Sequence, residues 1–536
     1  MRRMSLWAAL AVLIALAPNA HGEVASALIR EGDPLPGGPE GFNVNAIDNT
    51  AVNTINGWAV TLNSTDGMET LDFAWGDPAG GGGSVLFAEG SYGAYAQTSW
   101  ESFFGFSDAG LVAYSASSDS LLGDATGLDG VWLNDQDIAV EEQPYPHQAG
   151  MYWSFASRPG ATGAGSPHWV GGFTDSPGGS TQNRGLYIGA DANPLVVGGD
   201  MIGGLPDPVD TGSSNISFDY RISALGSRWI AEIATTTGSS ANNNHMVIDK
   251  SVIVLEGLPV SENGPVPAEI GGLPDEVWDN FDYTSISETG RYMFTGDTGA
   301  DTAQDEFILI DGIIVHREGD MLDGEVLSGS IEGAYMNEVG DYAFIWDIEG
   351  GGTEALFVGD QLILREGDVV DWDGDEVPDA DHVLTGFTGI STLTLSERLA
   401  EGFVRAYFTA DVMLPNDEEL EAAFVVPVQV LDPSSAETAP AGVSSRIQLA
   451  ARPNPAPAGR TEIQLTLPET GPAELFVTDV SGRVVRRLAW GRTEPLEDMV
   501  RWNGRDDSGA AAAPGIYFIH CVQGENRVSR RLTVVR

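Results

Sequence analysis

Across residues 23–431 the apolar positions come in short runs that alternate with polar ones, and Gly, Asp, Asn and Ser bound them. That is strand and turn chemistry, and helix-period runs are nearly absent. Two phrases recur inside the pattern. The first is a short β run closed by a Glu-Gly or Gly-Gly turn. It reads ALIREGD (27–33), SVLFAEG (84–90), DIAVEEQ (137–143), PLVVGGD (194–200), VIVLEGL (252–258), IIVHREGD (313–320) and LILREGD (362–368). With Glu31, Glu89, Glu141, Gly199, Glu256, Glu318 and Glu366 as markers, the spacings are 58, 52, 58, 57, 62 and 48 residues.

The second phrase is clearest as NEVGDYAF (337–344), with good copies SETGRYMF (287–294), SDAGLVAY (107–114) and SALGSRWI (223–230). Weaker copies are INGWAV (55–60), PHWVGGF (167–173) and EGFVRAYF (401–408). An Asn or Ser followed by Gly makes a tight turn, with the glycine at φ > 0. The alternating residues after it predict a strand with one buried face. Each unit then holds four strands; in the fifth these are 281–286, 291–295, 306–310 and 313–317. Four strands per 50–60 residues is the signature of a β-propeller. The first closing phrase has no unit before it, and the seventh unit, 384–430, has AAFVVPV but no closing phrase. Residues 27–30 are therefore expected to complete the last blade and remove its open edge.

These phrases resemble a tandem-repeat family of exported bacterial proteins, which carry NxxGxxAF turns and EGDPAPG-like phrases and end in varied surface-anchoring tails. The resemblance covers roughly residues 25–430 and implies no catalytic residue. A Glu-Gly turn repeated at one corner of every unit reads as a device of the fold.

Charge narrows the partners. The 536 residues carry 26 Lys+Arg against 78 Asp+Glu, a formal net charge of −52. Nucleic acid and anionic membrane surfaces need a basic footprint and are excluded as partners. A lone cysteine, Cys521, excludes an internal disulfide and is expected to be a buried small hydrophobe. Residues 1–22 read as a secretory signal peptide: Arg2 and Arg3, an apolar run over 6–17, then Ala20 and Gly22 at the cleavage positions. No other run approaches the roughly 20 apolar residues of a spanning helix, so the mature chain is expected to lack a transmembrane span and to be secreted or at the cell surface.

Between the last closing phrase and the seventh unit lies DWDGDEVPDADH (371–382). Its carboxylates Asp371, Asp373, Asp375, Asp379 and Asp381 are spaced to wrap a hard cation, and Ca²⁺ takes about six to eight oxygens. The run resembles the calcium loops of thrombospondin type 3 repeats and bacterial linker repeats, although glycine is fourth and no Glu stands twelfth, unlike an EF-hand. It is expected to hold a structural Ca²⁺; a solvated acidic loop is the alternative.

Residues 432–446 read as a linker, within a stretch rich in Pro, Ser and Ala. Charge changes sign across it: residues 443–536 hold 13 Arg and 10 Asp+Glu, while the rest hold 13 Lys+Arg and 68 Asp+Glu. Short strands and frequent turns over 447–536 predict an immunoglobulin-like sandwich. The segment resembles the C-terminal Ig-like domain of the flagellar hook-capping protein and of type IX secretion substrates, through Asn454-Pro455, VSGRV (480–484), WNGRD (502–506) with Gly509, and PGIY (514–517). That resemblance implies a sorting or attachment tail read by secretion or cell-surface machinery.

No GxSxG, HExxH, Walker A or GxGxxG phrase is present. His147, His168, His245, His316, His382 and His520 are dispersed, and the few arginines before the tail form no cluster in sequence. Trp132, Trp153, Trp169 and Trp229 are candidates for sugar stacking, with core packing the commoner role. The expected fold is all-β, a seven-bladed β-propeller followed by an immunoglobulin-like β-sandwich. The expected function is non-enzymatic binding of a glycan or protein outside the cell. Two readings stay open beside it: a polysaccharide hydrolase or lyase using carboxylates at the channel, and a structural surface-layer component.

Overall fold

The computed structural model describes residues 24–430 apart from 124, 213–214, 237–242, 261–272, 274–275, 301, 350–352, 389–391 and 400–401. It also describes residues 448–535 apart from 453–455, 458–459, 467–472, 480–482, 493–496, 506–511, 514 and 524–525. The signal peptide at 1–22 and the linker at 432–446 lie outside these residues, as do Asn454-Pro455, 480–482, Asp506, Gly509 and Pro514 of the tail motifs. The described chain is all-β, and its residues divide into two compact units, one ending at Val430 and one running from Leu431.

The first unit contains seven antiparallel sheets in chain order. The fourth is typical: Ile216–Ile222, Trp229–Ala234, Asn244–Ile248 and Ser251–Leu255 pair in sequence as a meander. Each closing phrase supplies the last strand of its sheet, as in Ser84–Ala88, Gln136–Val140, Ile313–Arg317 and Gln361–Arg365. The seventh sheet takes its last strand from the other end of the chain. Ser26–Arg30 pairs antiparallel with Glu419–Gln429, Ser26 opposite Val425 and Arg30 opposite Ala422.

Why these segments become strands is visible in what they bury. Neighbouring sheets share cores: the fifth and sixth meet through Ile308, Ile310, Phe344 and Phe357. The seventh meets the first through Tyr407, Ala423, Trp58 and Val60. The second strand of each sheet was expected to bury one face, and it buries both. Trp229–Ala234 is buried at every position, and Trp58–Thr65 at all but two. A sheet flanked on both sides by other sheets has no solvent face at its centre, so near-continuous apolar runs replace strict alternation.

The second turn phrase joins the first and second strands. Its first residue is Asn, Ser or Thr because its side chain accepts an amide N–H from the end of the turn, just ahead of the second strand. Asn337 Oδ1 accepts Asp341 N–H at 2.8 Å, Ser287 Oγ accepts Arg291 N–H at 3.0 Å, and Asn53 Oδ1 accepts Gly57 N–H at 2.7 Å. In the third and seventh sheets the weaker copies proved misaligned. Pro167 opens a strand, and the turn lies upstream, where Thr162 Oγ1 accepts Ser166 N–H at 3.0 Å. In the seventh sheet Ser396 Oγ accepts Arg405 N–H at 2.8 Å across a longer loop.

The second unit has two sheets. Gln448–Arg452, Arg460–Thr466 and Glu497–Asn503 form one, and Gly515–Gln523 lies at the centre of the other. Ile463 and Trp502 from the first meet Leu475, Val477, Ile519 and Leu532 from the second in one core. Cys521 is buried there, and burial pushes its thiol up to about 11, which makes it inert packing.

Candidate functional site

Two adjoining cavities of about 170 and 110 Å³ run along the inner edges of the first unit's sheets. The larger is lined by all seven opening segments, represented by Asn49, Phe103, Arg158, Asp219, Tyr283 and Tyr335, with Thr394 from the seventh. Both share Val52, Phe106, Ala161, Arg221, Ile222 and Tyr335, so they form one continuous channel.

The turns close one mouth of this channel through a relay of hydrogen bonds. Thr54 donates its amide and hydroxyl to Asp108 at 3.0 and 2.6 Å. Asp108 N–H donates to the Gly163 carbonyl, and Gly163 N–H to the Ala224 carbonyl. Glu338 then accepts Ala224 N–H on Oε1 at 2.8 Å and Glu288 N–H on Oε2 at 2.6 Å. Finally Glu338 N–H donates to Glu397 Oε1 at 2.9 Å. Burial, and then the neighbouring Glu338, push Glu397 up to about 7. Carboxylates do converge at the channel, but both Glu338 oxygens are committed to backbone amides. They staple the turns together and are not poised toward an open space. Around the same mouth the third turn residues Ile55, Leu225 and Val339 are exposed, at 53%, 72% and 53%.

The larger cavity has different chemistry. Arg158 sits in a bulge of Tyr152–Ala161, where pairing with Pro167–Thr174 shifts between Ser157 and Gly160. Its φ is +54°, a region that costs a non-glycine residue energy. Three groups hold it there. Tyr220 Oη donates to the Arg158 carbonyl at 2.6 Å. His168 Nδ1 lies 2.9 Å from the same Oη and, since the phenol has spent its one proton, must be the donor. The guanidinium stacks over Phe103 at 3.5 Å from the ring centroid. Burial, with Arg221 nearby, lowers His168 to about 3, so it stays neutral and orients Tyr220. Gly160 is required beside it, because a Cβ there would come within 2.1 Å of the His168 ring. The arginines before the tail form no cluster in sequence; the fold brings Arg158 and Arg221 to the lining of one cavity.

The other predicted positions separate. Asp371, Asp373 and Asp375 place carboxylate oxygens within 4.8 Å of one another, a span compatible with one hard cation. Asp371 is fully buried: its Oδ1 accepts Gly374 and Asp375 N–H, and its Oδ2 accepts Glu376 N–H. Asp379 instead accepts Trp372 N–H at 2.9 Å, and Asp381 pairs with His382 at 3.1 Å. The loop also clasps the chain's first strand. Ala27 N–H donates to the Asp371 carbonyl, Asp371 N–H to the Ala25 carbonyl, and Arg30 to the Trp372 carbonyl. Trp132, Trp153, Trp169 and Trp229 are all buried in sheet cores, so none is available to stack on a sugar. His316 is buried against Tyr342, and His520 against Thr478.

No known protein family matches the chain, and no curated protein matches its sequence. Among solved structures it is similar to PorZ, a surface component of the type IX secretion system of Porphyromonas gingivalis. Identity there is 10%, over 92% of this chain and 82% of that one, with a TM-score of 0.22. It is similar to XC5397, a gluconolactonase of Xanthomonas campestris, at 10% identity over 65% and 97% of the two chains, with a TM-score of 0.24. It is similar to the subtype N11 neuraminidase-like protein of the flat-faced bat H18N11 strain, at 9% identity over 78% and 98% of the two chains, with a TM-score of 0.29. No helix among the described residues is long and apolar enough to cross a membrane.

Proposed function

We propose that the first unit is a seven-bladed β-propeller serving as a non-enzymatic binding module of an exported, secreted or surface-displayed protein. One observation carries this reading: a single channel lined by the opening segment of every sheet. Pairing of Ser26–Arg30 with Glu419–Gln429 supports ring closure. The commitment of Glu338 to two amides favours binding over acid–base chemistry at the mouth. The ligand is a glycan or a protein, met by the channel and by the exposed apolar turn residues around it. The second unit is an immunoglobulin-like module for secretion or attachment, and two sheets facing one core support that reading. The acidic loop holds a structural Ca²⁺ through Asp371, Asp373 and Asp375, where the ion would stiffen the loop that clasps the first strand.

Glycan-array and pull-down binding by the mature chain tests the binding reading; turnover of a polysaccharide, lost in Glu397→Gln, would replace it with the hydrolytic one. Calorimetry should show Ca²⁺ binding that Asp373→Ala and Asp375→Ala abolish, and a rise in melting temperature with the ion that both variants lose. Identical isotherms in variants and wild type discard the calcium site. Deleting 443–536 should leave the first unit folded and remove surface display.

A further inference from the structure

We propose that the crown of turns around the stapled mouth docks a partner protein, through an apolar patch that carries a lysine or arginine toward the channel. The proposal rests on the binding reading above and narrows its ligand from glycan or protein to a basic, apolar protein surface.

The turns themselves fix all but one of their places. The first residue caps the turn, the second joins the relay, and the fourth lies at positive φ, as Gly110, Gly165, Gly226, Gly290 and Gly340 do between +80° and +92°. The third residue is the tip, and the fold makes no demand on its side chain. In the fifth sheet it is the polar Thr289. In the first, fourth and sixth sheets it is Ile55, Leu225 and Val339, all exposed. In the second and third it is Ala109 and Ala164, exposed as well.

The relay draws these tips side by side. Thr54 is bonded to Asp108, Asp108 to Gly163, Gly163 to Ala224 and Ala224 to Glu338, and each of these residues directly precedes a tip. Leu225 N–H donates to Glu288 Oε1 at 2.6 Å, and Arg291 Nη1 donates to the Val339 carbonyl at 3.1 Å. The apolar tips therefore stand on a frame that is already pinned, and docking on it costs little ordering entropy. A patch of exposed apolar side chains of this kind marks an interaction surface.

Charge selects the occupant. Asp108, Glu288, Glu338 and Glu397 stand next to the tips or in the loop beside them, and among the described residues none of the four is in an ion pair. Arg228, Arg291 and Arg398, the cations of the neighbouring turns, face carboxylates of their own in Asp249, Asp311 and Asp341. Arg405 bonds the Tyr407 hydroxyl, and Arg221 lines the channel beside Glu338 and Glu397. Four carboxylates against that one guanidinium leave the mouth negative. A sugar hydroxyl finds neither donor nor acceptor on Ile55, Leu225 or Val339. A second copy of the acidic first unit would bring like charge. A Lys or Arg set among apolar side chains satisfies both the tips and the opening, and such an anchor is a common centre of a protein interface.

The test is selection of a phage-displayed library of random peptides on the mature full chain. Enriched peptides should carry Lys or Arg flanked by apolar residues, and replacing that cation by Gln should weaken binding about tenfold or more. Leu225→Ser combined with Val339→Ser should weaken it as much with the melting temperature unchanged, because both side chains are exposed. Enriched peptides that lack a cation, or that bind the double variant equally well, overturn the proposal. So does a dimer of the full chain that the double variant loses, since a second copy then covers the patch. Glycan-array binders with no peptide enriched overturn it while leaving the binding reading in place; no binder of either kind overturns both.

Discussion

Glu142 occupies the one closing turn in which a side chain stands where its counterparts carry glycine at positive φ. Gly32, Gly199, Gly257, Gly319 and Gly367 lie between +74° and +92°, and Glu142 lies at +67°. The left-handed region brings Cβ against the following carbonyl, and only glycine escapes that cost. Glu142→Gly should therefore stabilise the first unit by about 0.5–1 kcal/mol, the relief of strain less the added freedom of the unfolded chain. Gly319→Ala is the converse. A Cβ there meets nothing nearer than the Ala303 carbonyl at 3.4 Å, so backbone strain alone should cost about 1–2 kcal/mol. Denaturant titration of both variants checks the pair; two changes of the same sign would mean these turns are not equivalent. The turn was readable in the sequence because Gly and Glu mark it locally. Arg158 was not, because its role comes from a bulge and from Tyr220, a residue of the next sheet.

At the scale of elements, the strand Ser26–Arg30 does work that no local propensity demands. It covers the edge of Glu419–Gln429 and buries Ile29. The acidic loop grips it through Asp371, so sequence-distant segments fix its place. Deleting residues 23–31 should bare a long strand edge, and exposed edges recruit other chains. The truncated chain is expected to self-associate in size-exclusion chromatography where the full chain does not. A monodisperse truncated monomer of unchanged melting temperature would show that closure matters little. The incomplete units at the two chain ends made this pairing legible beforehand. Burial of both faces of the second strands was not legible, because it depends on which sheets become neighbours. The turns of the third and seventh sheets were hidden for a simpler reason. Thr162 stands in for Asn or Ser, and Ser396 reaches its partner across an enlarged loop.

The whole molecule carries its charge in a particular way. Carboxylates gather between and within sheets, where burial and mutual repulsion raise their protonation ranges. Burial, and then Asp297, push Glu306 up to about 9; burial pushes Glu232 to about 8, and Asp48 and Asp282 to about 6. Each such group binds its proton more tightly folded than unfolded. Its ionisation therefore weakens the fold as pH rises from the ordinary carboxylate range to the raised value, and protonation restores stability as pH falls. Groups of the opposite kind set the lower limit. Glu288 is lowered by the Ser223 and Ser227 hydroxyls and the Leu225 amide, against a burial effect that raises it, so its contribution is lost only under stronger acid. The melting temperature should thus peak in mild acid, near about pH 5, and fall by several degrees toward pH 9. Glu306→Gln should flatten the alkaline side of that curve, because the amide keeps the hydrogen-bonding shape without an ionisable proton. Scanning calorimetry of wild type and variant across that range is the measurement, and a maximum at or above neutrality would mean that these buried carboxylates do not govern the stability of the first unit.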